Sequence, residues 1–129
     1  MAKKGKILVV EDNDFVRMQV VKFLQEDNYS VEEATDGEVA LSMVGKDSGV
    51  CLALVDIRME PIGGIEFLKI IRGKNINIPV IVITSYDTGD ILEQSGKLDV
   101  AAVLIKPVMK ERLLKMVERT LDNVVRATN

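Results

Sequence analysis

The chain has 129 residues, of which 47% are hydrophobic and 29% are charged, and its formal net charge is -3. This length and composition suit one globular domain with a single core, and the acidic balance argues against a nucleic-acid-binding surface. The sequence has no apolar run of about 18 residues and no signal-peptide pattern, so we expect a cytoplasmic protein that does not contact a membrane. The single cysteine, Cys51, cannot form an intramolecular disulfide, which fits a reducing compartment.

Four short apolar runs lack polar alternation, which is typical of strands buried on both faces of a parallel sheet. In chain order these predicted strands are Lys6–Val10, Leu52–Asp56, Val80–Ile83 and Val103–Ile105. A fifth run, Tyr29–Glu33, alternates between apolar and polar residues, as expected of a strand at a sheet edge.

Helical spacing of apolar residues, bounded by turn residues, predicts one helix after each strand. In chain order these helices are Asp14 to about Asp27, Asp36–Gly45, Ile65–Gly73, Asp87–Leu98 and Met109–Val125. Asn13 or Asp14 can cap the first helix, and the second is expected to turn Val39, Ala40, Met43 and Val44 inward. Five strand and helix alternations predict a parallel sheet covered on both faces, in one domain over residues 1–129 with its core at about 6–125.

Polar side chains stand at the carboxyl end of four of the predicted strands or directly after it. They are Glu11 and Asp12, Asp56, Thr84 and Ser85, and Lys106 followed by Pro107. Ligands of open α/β sheets bind beyond the carboxyl ends of the strands, so these groups are expected to share one acidic pocket. Taken singly, each is more often a helix cap or a turn residue, and only their joint occurrence favours a site.

Crowded carboxylates raise one another's pKa, and a hard divalent cation such as Mg²⁺ would neutralise them. A metal-bound carboxylate beside a lysine is suited to attack phosphorus, as in enzymes that form an aspartyl phosphate. Lys106 would offset charge on the phosphoryl oxygens, and the Thr84 hydroxyl could donate to one of them. The pocket is therefore predicted to be a phosphorylation site at Asp56.

With these motifs, the chain resembles the receiver domain of two-component response regulators, of the chemotaxis-regulator type, from Lys6 to about Val125. The resemblance implies a flavodoxin-like (βα)5 fold, in which five helices flank a five-stranded parallel sheet of order 2-1-3-4-5. It also implies that Asp56 accepts a phosphoryl group from a histidine kinase or a phosphotransfer protein. The domain would then change its surface to signal to a downstream protein target.

The resemblance also implies a role for each site residue. Asp12 and Asp56 would bind Mg²⁺ directly, Glu11 would act through water, and the backbone carbonyl of Arg58 would be a further ligand. Thr84 matches the hydroxyl residue of the family. Lys106 matches its lysine, which precedes a cis-linked proline, here Pro107.

The sequence departs from the family pattern in two places. Proline follows Met59-Glu60 where the family has Met-Pro, so the shape of this loop is expected to differ. Val103 replaces the usual Tyr or Phe whose ring moves on activation, and its branched side chain has few rotamers. We therefore expect the change on phosphorylation to concentrate between Thr84 and Gly96, near Tyr86.

Two other functions use a similar pocket. A phosphatase with an aspartate nucleophile would carry a second aspartate two residues after the first, where this chain has Arg58. That site lacks a proton donor for turnover, which favours a signalling switch that catalyses only its own phosphorylation and dephosphorylation. A degenerate receiver that works as a protein-interaction module is the third reading, and Val103 is the residue that favours it.

Overall fold

Five parallel strands form one sheet at the centre of the fold. The computed structural model describes residues 3–45, 48–85 and 97–128, with side chains described as far as residue 124. The strands are β1 (Lys6–Val10), β2 (Ser30–Ala34), β3 (Val50–Asp56), β4 (Val80–Thr84) and β5 (Ala102–Ile105). They lie in the order β2-β1-β3-β4-β5, and every neighbouring pair is parallel. This confirms the predicted strand order and the predicted place of β2 at an edge.

Some strand boundaries differ from the prediction because they depend on pairing rather than on local hydropathy. Strand β3 begins at Val50, two residues early, since Val50 pairs with Lys6 across an irregularity in the ladder after Lys6. Strand β2 begins one residue late, and Tyr29 instead packs into the core with 3% of its surface exposed.

Four helices lie within the described residues, and they match four of the five that the sequence predicts. They are α1 (Asp14–Glu26), α2 (Gly37–Met43), α3 (Gly64–Gly73) and α4 (Lys110–Thr128). The remaining predicted helix, Asp87–Leu98, falls almost entirely on residues 86–96, which lie outside the described part of the chain. Tyr86 and the expected change between Thr84 and Gly96 fall there too. None of the helices described is long and apolar enough to cross a membrane.

The first two helices begin at side-chain caps. Asn13 Oδ1 accepts a hydrogen bond from the Val16 N–H at 3.0 Å, and Asp36 Oδ1 accepts from the N–H groups of Glu38 and Val39 at 2.7 and 3.0 Å. Each cap satisfies N–H groups that have no partner within the helix, so the polar residue after the preceding strand decides where the helix starts.

The prediction that Val39 faces inward is wrong, because 38% of its surface is exposed. Gly37, Ala40 and Val44 lie on the buried side of this short segment, at spacings of three and four residues. Val39 precedes Ala40 by one residue, and one residue turns the helix by about 100°. With Ala40 against the sheet, Val39 must therefore turn toward solvent.

The core has two layers, one on each face of the sheet. Helices α1 and α4 cover the face that carries alternate strand residues such as Val9, Leu54 and Ile83. Helices α2 and α3 cover the opposite face, which carries their neighbours, including Val10 and Val55. Because both faces are covered, the central strands are apolar without alternation, and the polar residues stand only at their ends.

Candidate functional site

The carboxyl ends of β1, β3, β4 and β5 bring the predicted site residues to one edge of the sheet. Glu11, Asp56 and Thr84 are almost fully buried, with 1%, 4% and 3% of their surface exposed. Asp12 lies beside them and is exposed. One carboxylate oxygen from each of the three acidic residues lies within 4.8 Å of the other two. Residues that the sequence separates by more than 40 positions therefore form one acidic cluster.

Lys106 supplies the positive charge in this cluster. Its ammonium nitrogen lies 3.0 Å from Glu11 Oε1 and 3.2 Å from Asp56 Oδ2. Strand β5 holds the lysine there, because the Lys106 N–H donates to the Thr84 carbonyl at 2.7 Å. The following peptide bond to Pro107 is cis, as the resemblance implies. Lys106 thus joins the ends of three different strands.

Asp56 is held at the end of β3 by its own loop. The Arg58 N–H donates to Asp56 Oδ1 at 3.1 Å, while Oδ2 faces Lys106. The Ile57 N–H donates to the Ile83 carbonyl of β4 at 3.0 Å, which extends the ladder past the aspartate. Both carboxylate oxygens therefore have a donor, and the side chain has a defined direction at the rim of the sheet.

The loop after Asp56 turns back close to the strand end. The Gly64 N–H donates to the Ile57 carbonyl at 3.0 Å. A Cβ atom at Gly64 would lie only 2.6 Å from the backbone oxygen of Asp56, so glycine lets α3 begin directly beside the acidic cluster. Within this loop the Glu60–Pro61 peptide bond is cis, at the place where the sequence departs from the family pattern.

Glu11 is a buried carboxyl group whose charged form is disfavoured by its surroundings. Its Oε2 accepts a hydrogen bond from the Asn13 N–H at 3.2 Å. Its Oε1 is buried and has an ion-pair contact with Lys106 but no hydrogen bond of good geometry among the described residues. Burial, together with the neighbouring Asp56 carboxyl, raises the pKa of Glu11 to about 7, although Lys106 acts in the opposite direction.

The same contacts shift the pKa of Lys106 in the direction that favours its charged form. Burial alone would lower the pKa of its ammonium group, but contacts with Glu11 and Asp56 outweigh burial and raise the pKa. Lys106 therefore stays protonated at neutral pH. The cluster of three carboxylates and one ammonium group still carries excess negative charge.

The donor set suits a hard divalent cation. Glu11, Asp12 and Asp56 offer carboxylate oxygens at close range, and among the described residues the buried Glu11 Oε1 has only the ion-pair contact with Lys106. Oxygen ligands of this kind are those that Mg²⁺ prefers. Asp12 and Arg58, with Met59 and Glu60, line a surface depression on the Asp12 side of the cluster. The residues present therefore fit a magnesium ion.

Two site contacts were not predicted from the sequence. The Asn13 N–H binds Glu11, and the Arg17 guanidinium donates to the Glu11 carbonyl oxygen at 2.8 Å. Arg17 stands three residues after Asp14 on a helix, a spacing that already predicts an ion pair. Nothing local in the sequence indicates that the same side chain reaches back to β1.

Comparison with known proteins identifies the family. The family model described as the response regulator receiver domain matches residues 7–118. The chain belongs to this family, and it is a response regulator receiver domain of two-component signalling.

Curated relatives and solved structures agree with this assignment. Response regulator MprA of Mycobacterium tuberculosis is 37% identical over 111 residues, which cover 84% of this chain and 47% of that protein. A cyclic di-GMP phosphodiesterase of Thermotoga maritima is 32% identical over 119 residues, which cover 92% of this chain and 32% of that protein. The chain therefore spans about half or less of the length of these relatives.

Among solved structures, the chemotaxis protein CheY4 of Vibrio cholerae is similar with a TM-score of 0.83 and 28% identity, over 90% of this chain and 98% of that one. A CheY-like receiver domain protein of Methanospirillum hungatei has a TM-score of 0.89 and 24% identity, over 98% of this chain and 99% of that one. This second likeness supports the fold alone. Together with the strand order, these structures confirm the predicted flavodoxin-like fold.

Proposed function

We propose that this receiver domain takes a phosphoryl group onto Asp56 with the help of Mg²⁺ and passes the signal on through a change in its surface. The observation that carries the proposal is the placement of the Asp56 carboxylate. It is buried, lies within 4.8 Å of two other carboxylates, and has the Lys106 ammonium 3.2 Å away. Asp12 and Asp56 would bind the ion directly, Glu11 through water, and Arg58 through its backbone carbonyl.

The transfer forms one bond and breaks one bond. A carboxylate oxygen of Asp56 attacks phosphorus, and the bond from phosphorus to the donor's leaving atom breaks, so that the electron pair leaves with the donor. Bound Mg²⁺ would supply charge neutralisation for the phosphoryl oxygens and the carboxylates. The Lys106 ammonium lies where it can pair with a phosphoryl oxygen, and the buried Thr84 hydroxyl at the end of β4 can donate to another.

The same geometry favours a switch over an enzyme that turns over a substrate. Arg58 stands two residues after Asp56, where an aspartate-nucleophile phosphatase would carry a general acid. Arginine stays protonated near neutral pH, so Arg58 can neither protonate a leaving group nor accept a proton from a water molecule that attacks the aspartyl phosphate. An aspartyl phosphate formed here would persist long enough to be read by a target protein.

The phosphoryl donor is proposed to be a histidine kinase or a phosphotransfer protein in the cytoplasm. Asp56 is 4% exposed, so a protein donor must present its phosphoryl group at the rim of the site. Phe15 and Met18, one turn apart on α1, are 75% and 66% exposed, and α1 begins two residues after Asp12. Large exposed apolar side chains beside a buried acceptor suit a docking surface for that donor.

Intact-mass measurement tests the proposed acceptor. The protein is incubated with a small phosphodonor and Mg²⁺, and we expect a gain of one phosphoryl group that disappears on removal of Mg²⁺ by a chelator. Asp56→Asn should show no gain, whereas the control Asp122→Asn, which changes an exposed carboxylate on α4, should behave like the parent. A gain that survives Asp56→Asn would overturn the assignment, and no gain at all would favour a degenerate receiver.

The docking surface has a separate test. The double variant Phe15→Ala and Met18→Ala should lose phosphotransfer from a protein donor by about ten-fold or more, because apolar contact area is removed. Phosphorylation from a small phosphodonor should stay unchanged, since the pocket is intact. Equal loss with both donors would show that these side chains support the pocket and not a partner.

A further inference from the structure

Arg17 occupies an unusual place between the acidic pair and the edge of the sheet. Its side chain is only 12% exposed, although it stands on the first turns of α1. Its Nη1 donates to the Glu11 carbonyl oxygen at 2.8 Å, and its Nε donates to Glu33 Oε1 on β2 at 3.2 Å. Its Nη2 pairs with Asp14 at 2.5 Å. One guanidinium group therefore joins β1, α1 and β2 directly behind the site.

The Glu11 carbonyl belongs to the peptide unit between the two acidic residues. Glu11 precedes this unit and Asp12 follows it, so the plane of the peptide sets the direction in which both side chains leave the backbone. Two backbone contacts hold the residue from either side, because the Glu11 N–H donates to Ala34 at 3.0 Å while its carbonyl accepts from Arg17. The guanidinium fork has a fixed geometry, so it restrains the peptide more tightly than a flexible ammonium group would.

We infer that Arg17 is a positioning residue for the metal site: it orients the peptide between Glu11 and Asp12 so that both carboxylates point at one cation. The inference rests on the proposed function, because it assumes that the acidic cluster binds Mg²⁺. Residues behind metal ligands are known to affect metal affinity by about 10 to 100-fold in other sites, since they fix the ligand's orientation. Arg17 acts through the backbone of a ligand rather than on its side chain.

Charge and geometry predict opposite effects of removing Arg17. If the guanidinium mattered only through its positive charge, its loss would tighten binding of every divalent cation, because one repulsive charge would be gone. If it orients the ligands, its loss should weaken binding. The weakening should be larger for Mg²⁺, which requires near-ideal octahedral geometry, than for Ca²⁺, which accepts flexible arrangements.

The test compares Mg²⁺ and Ca²⁺ affinities of the full chain by NMR titration. Arg17→Met keeps the length of the apolar stem, and we expect about ten-fold weaker Mg²⁺ binding with a smaller loss for Ca²⁺. Arg17→Lys keeps the charge without the fork, so its ratio of Mg²⁺ to Ca²⁺ affinity should fall between those of the parent and Arg17→Met. Arg119→Met removes an exposed arginine of α4 and is the matched control, with both affinities unchanged.

A second readout separates positioning from catalysis and from folding. At saturating Mg²⁺ the rate of phosphorylation of Arg17→Met by a small phosphodonor should approach that of the parent, and only the Mg²⁺ concentration for half-maximal rate should rise. If Arg17→Met does not fold, Arg17→Lys carries the same test. Unchanged or tighter Mg²⁺ binding in the folded variant would overturn the role of Arg17. Absence of Mg²⁺ binding in the parent protein would instead overturn the proposed function.

Discussion

Lys106 Nζ lies 3.2 Å from Asp56 Oδ2, although the two residues are 50 positions apart in the sequence. The same ammonium group lies 3.0 Å from Glu11 Oε1, so one lysine partly neutralises two buried carboxylates. Without a divalent cation, this pairing is what holds the acidic cluster together at neutral pH. The lysine therefore has two effects on the site, and they can be measured separately.

Replacing Lys106 should change metal binding and phosphorylation in opposite directions. In Lys106→Met the cluster loses the positive charge of the ammonium group, so we expect Mg²⁺ to bind several-fold more tightly. Phosphorylation of Asp56 should become slower by on the order of 100-fold, because the group that pairs with the phosphoryl oxygen is missing. Calorimetric titration and phosphorylation kinetics measure the two effects. The exposed Lys69→Met is the control, and parallel changes in both quantities would contradict this account.

The raised pKa of Glu11 predicts a pH-dependent stability of the metal-free protein. Glu11 takes up its proton at a pH of about 7 in the folded chain, against 4.5 for a free carboxyl, so the folded state binds more protons between these values. The free energy of unfolding from this group therefore falls as pH rises through that window, by about 3 kcal/mol in total.

Glu11→Gln should remove this dependence. Its free energy of unfolding should match that of the parent near pH 4 and exceed it above pH 7 by on the order of 2 to 3 kcal/mol, in denaturant titrations without Mg²⁺. Glu118→Gln, at an exposed position on α4, should show no such gain. A difference between Glu11→Gln and the parent that does not vary with pH would show that the charge of Glu11 is not its cause.

Gly64 should be intolerant of a side chain. A Cβ atom there would lie 2.6 Å from the Asp56 carbonyl oxygen, and that neighbour is backbone that cannot rotate away. We expect Gly64→Ala to lower the free energy of unfolding by about 1 to 3 kcal/mol and to weaken Mg²⁺ binding, because the loop after Asp56 must shift. Gly73→Ala, at the end of the same helix, has open space around its Cβ and should be neutral or stabilising.

Arg72 should be important for stability but not for the site. Its guanidinium donates to the carbonyl oxygens of Ile76 and Ile78 at 2.9 Å and of Leu98 at 3.3 Å. Arg72→Met leaves these carbonyls without that donor, so thermal or denaturant unfolding should show a loss of on the order of 2 to 4 kcal/mol. The Mg²⁺ affinity of the folded variant should stay unchanged, because these contacts lie at the opposite end of the sheet from Asp56.

Much of the site follows from the sequence because strand ends in a parallel sheet are equivalent positions. Asp56 ends one apolar run and Lys106 directly follows another, and knowing that both runs are strands of one parallel sheet is enough to place the two side chains at the same edge. Arg17 could not be found in this way. Its ion pair with Asp14 is local, but its bonds to the Glu11 carbonyl and to Glu33 depend on how α1 packs beside β2.

The start of β3 and the exposure of Val39 differ from the prediction for the same reason: both depend on contacts between segments that are distant in the sequence. Val50 joins β3 only because Lys6 of β1 lies opposite it, and hydropathy along the chain does not report that pairing. The apolar side chain of Val39 predicts an inward position, but the buried Gly37 and Ala40 decide which side of α2 faces the core. Short helices offer few residues to define a face, so single apolar positions on them are poorly predicted.

The measurement that tests the central proposal most directly is chemical location of the phosphoryl group. The protein is phosphorylated with a small phosphodonor and Mg²⁺, the aspartyl phosphate is reduced with borohydride, and the peptides are sequenced by mass spectrometry. The proposal predicts that Asp56 alone is converted to homoserine, and that the conversion is lost without Mg²⁺. Conversion at Asp12 or at another carboxylate, with Asp56 intact, would contradict it.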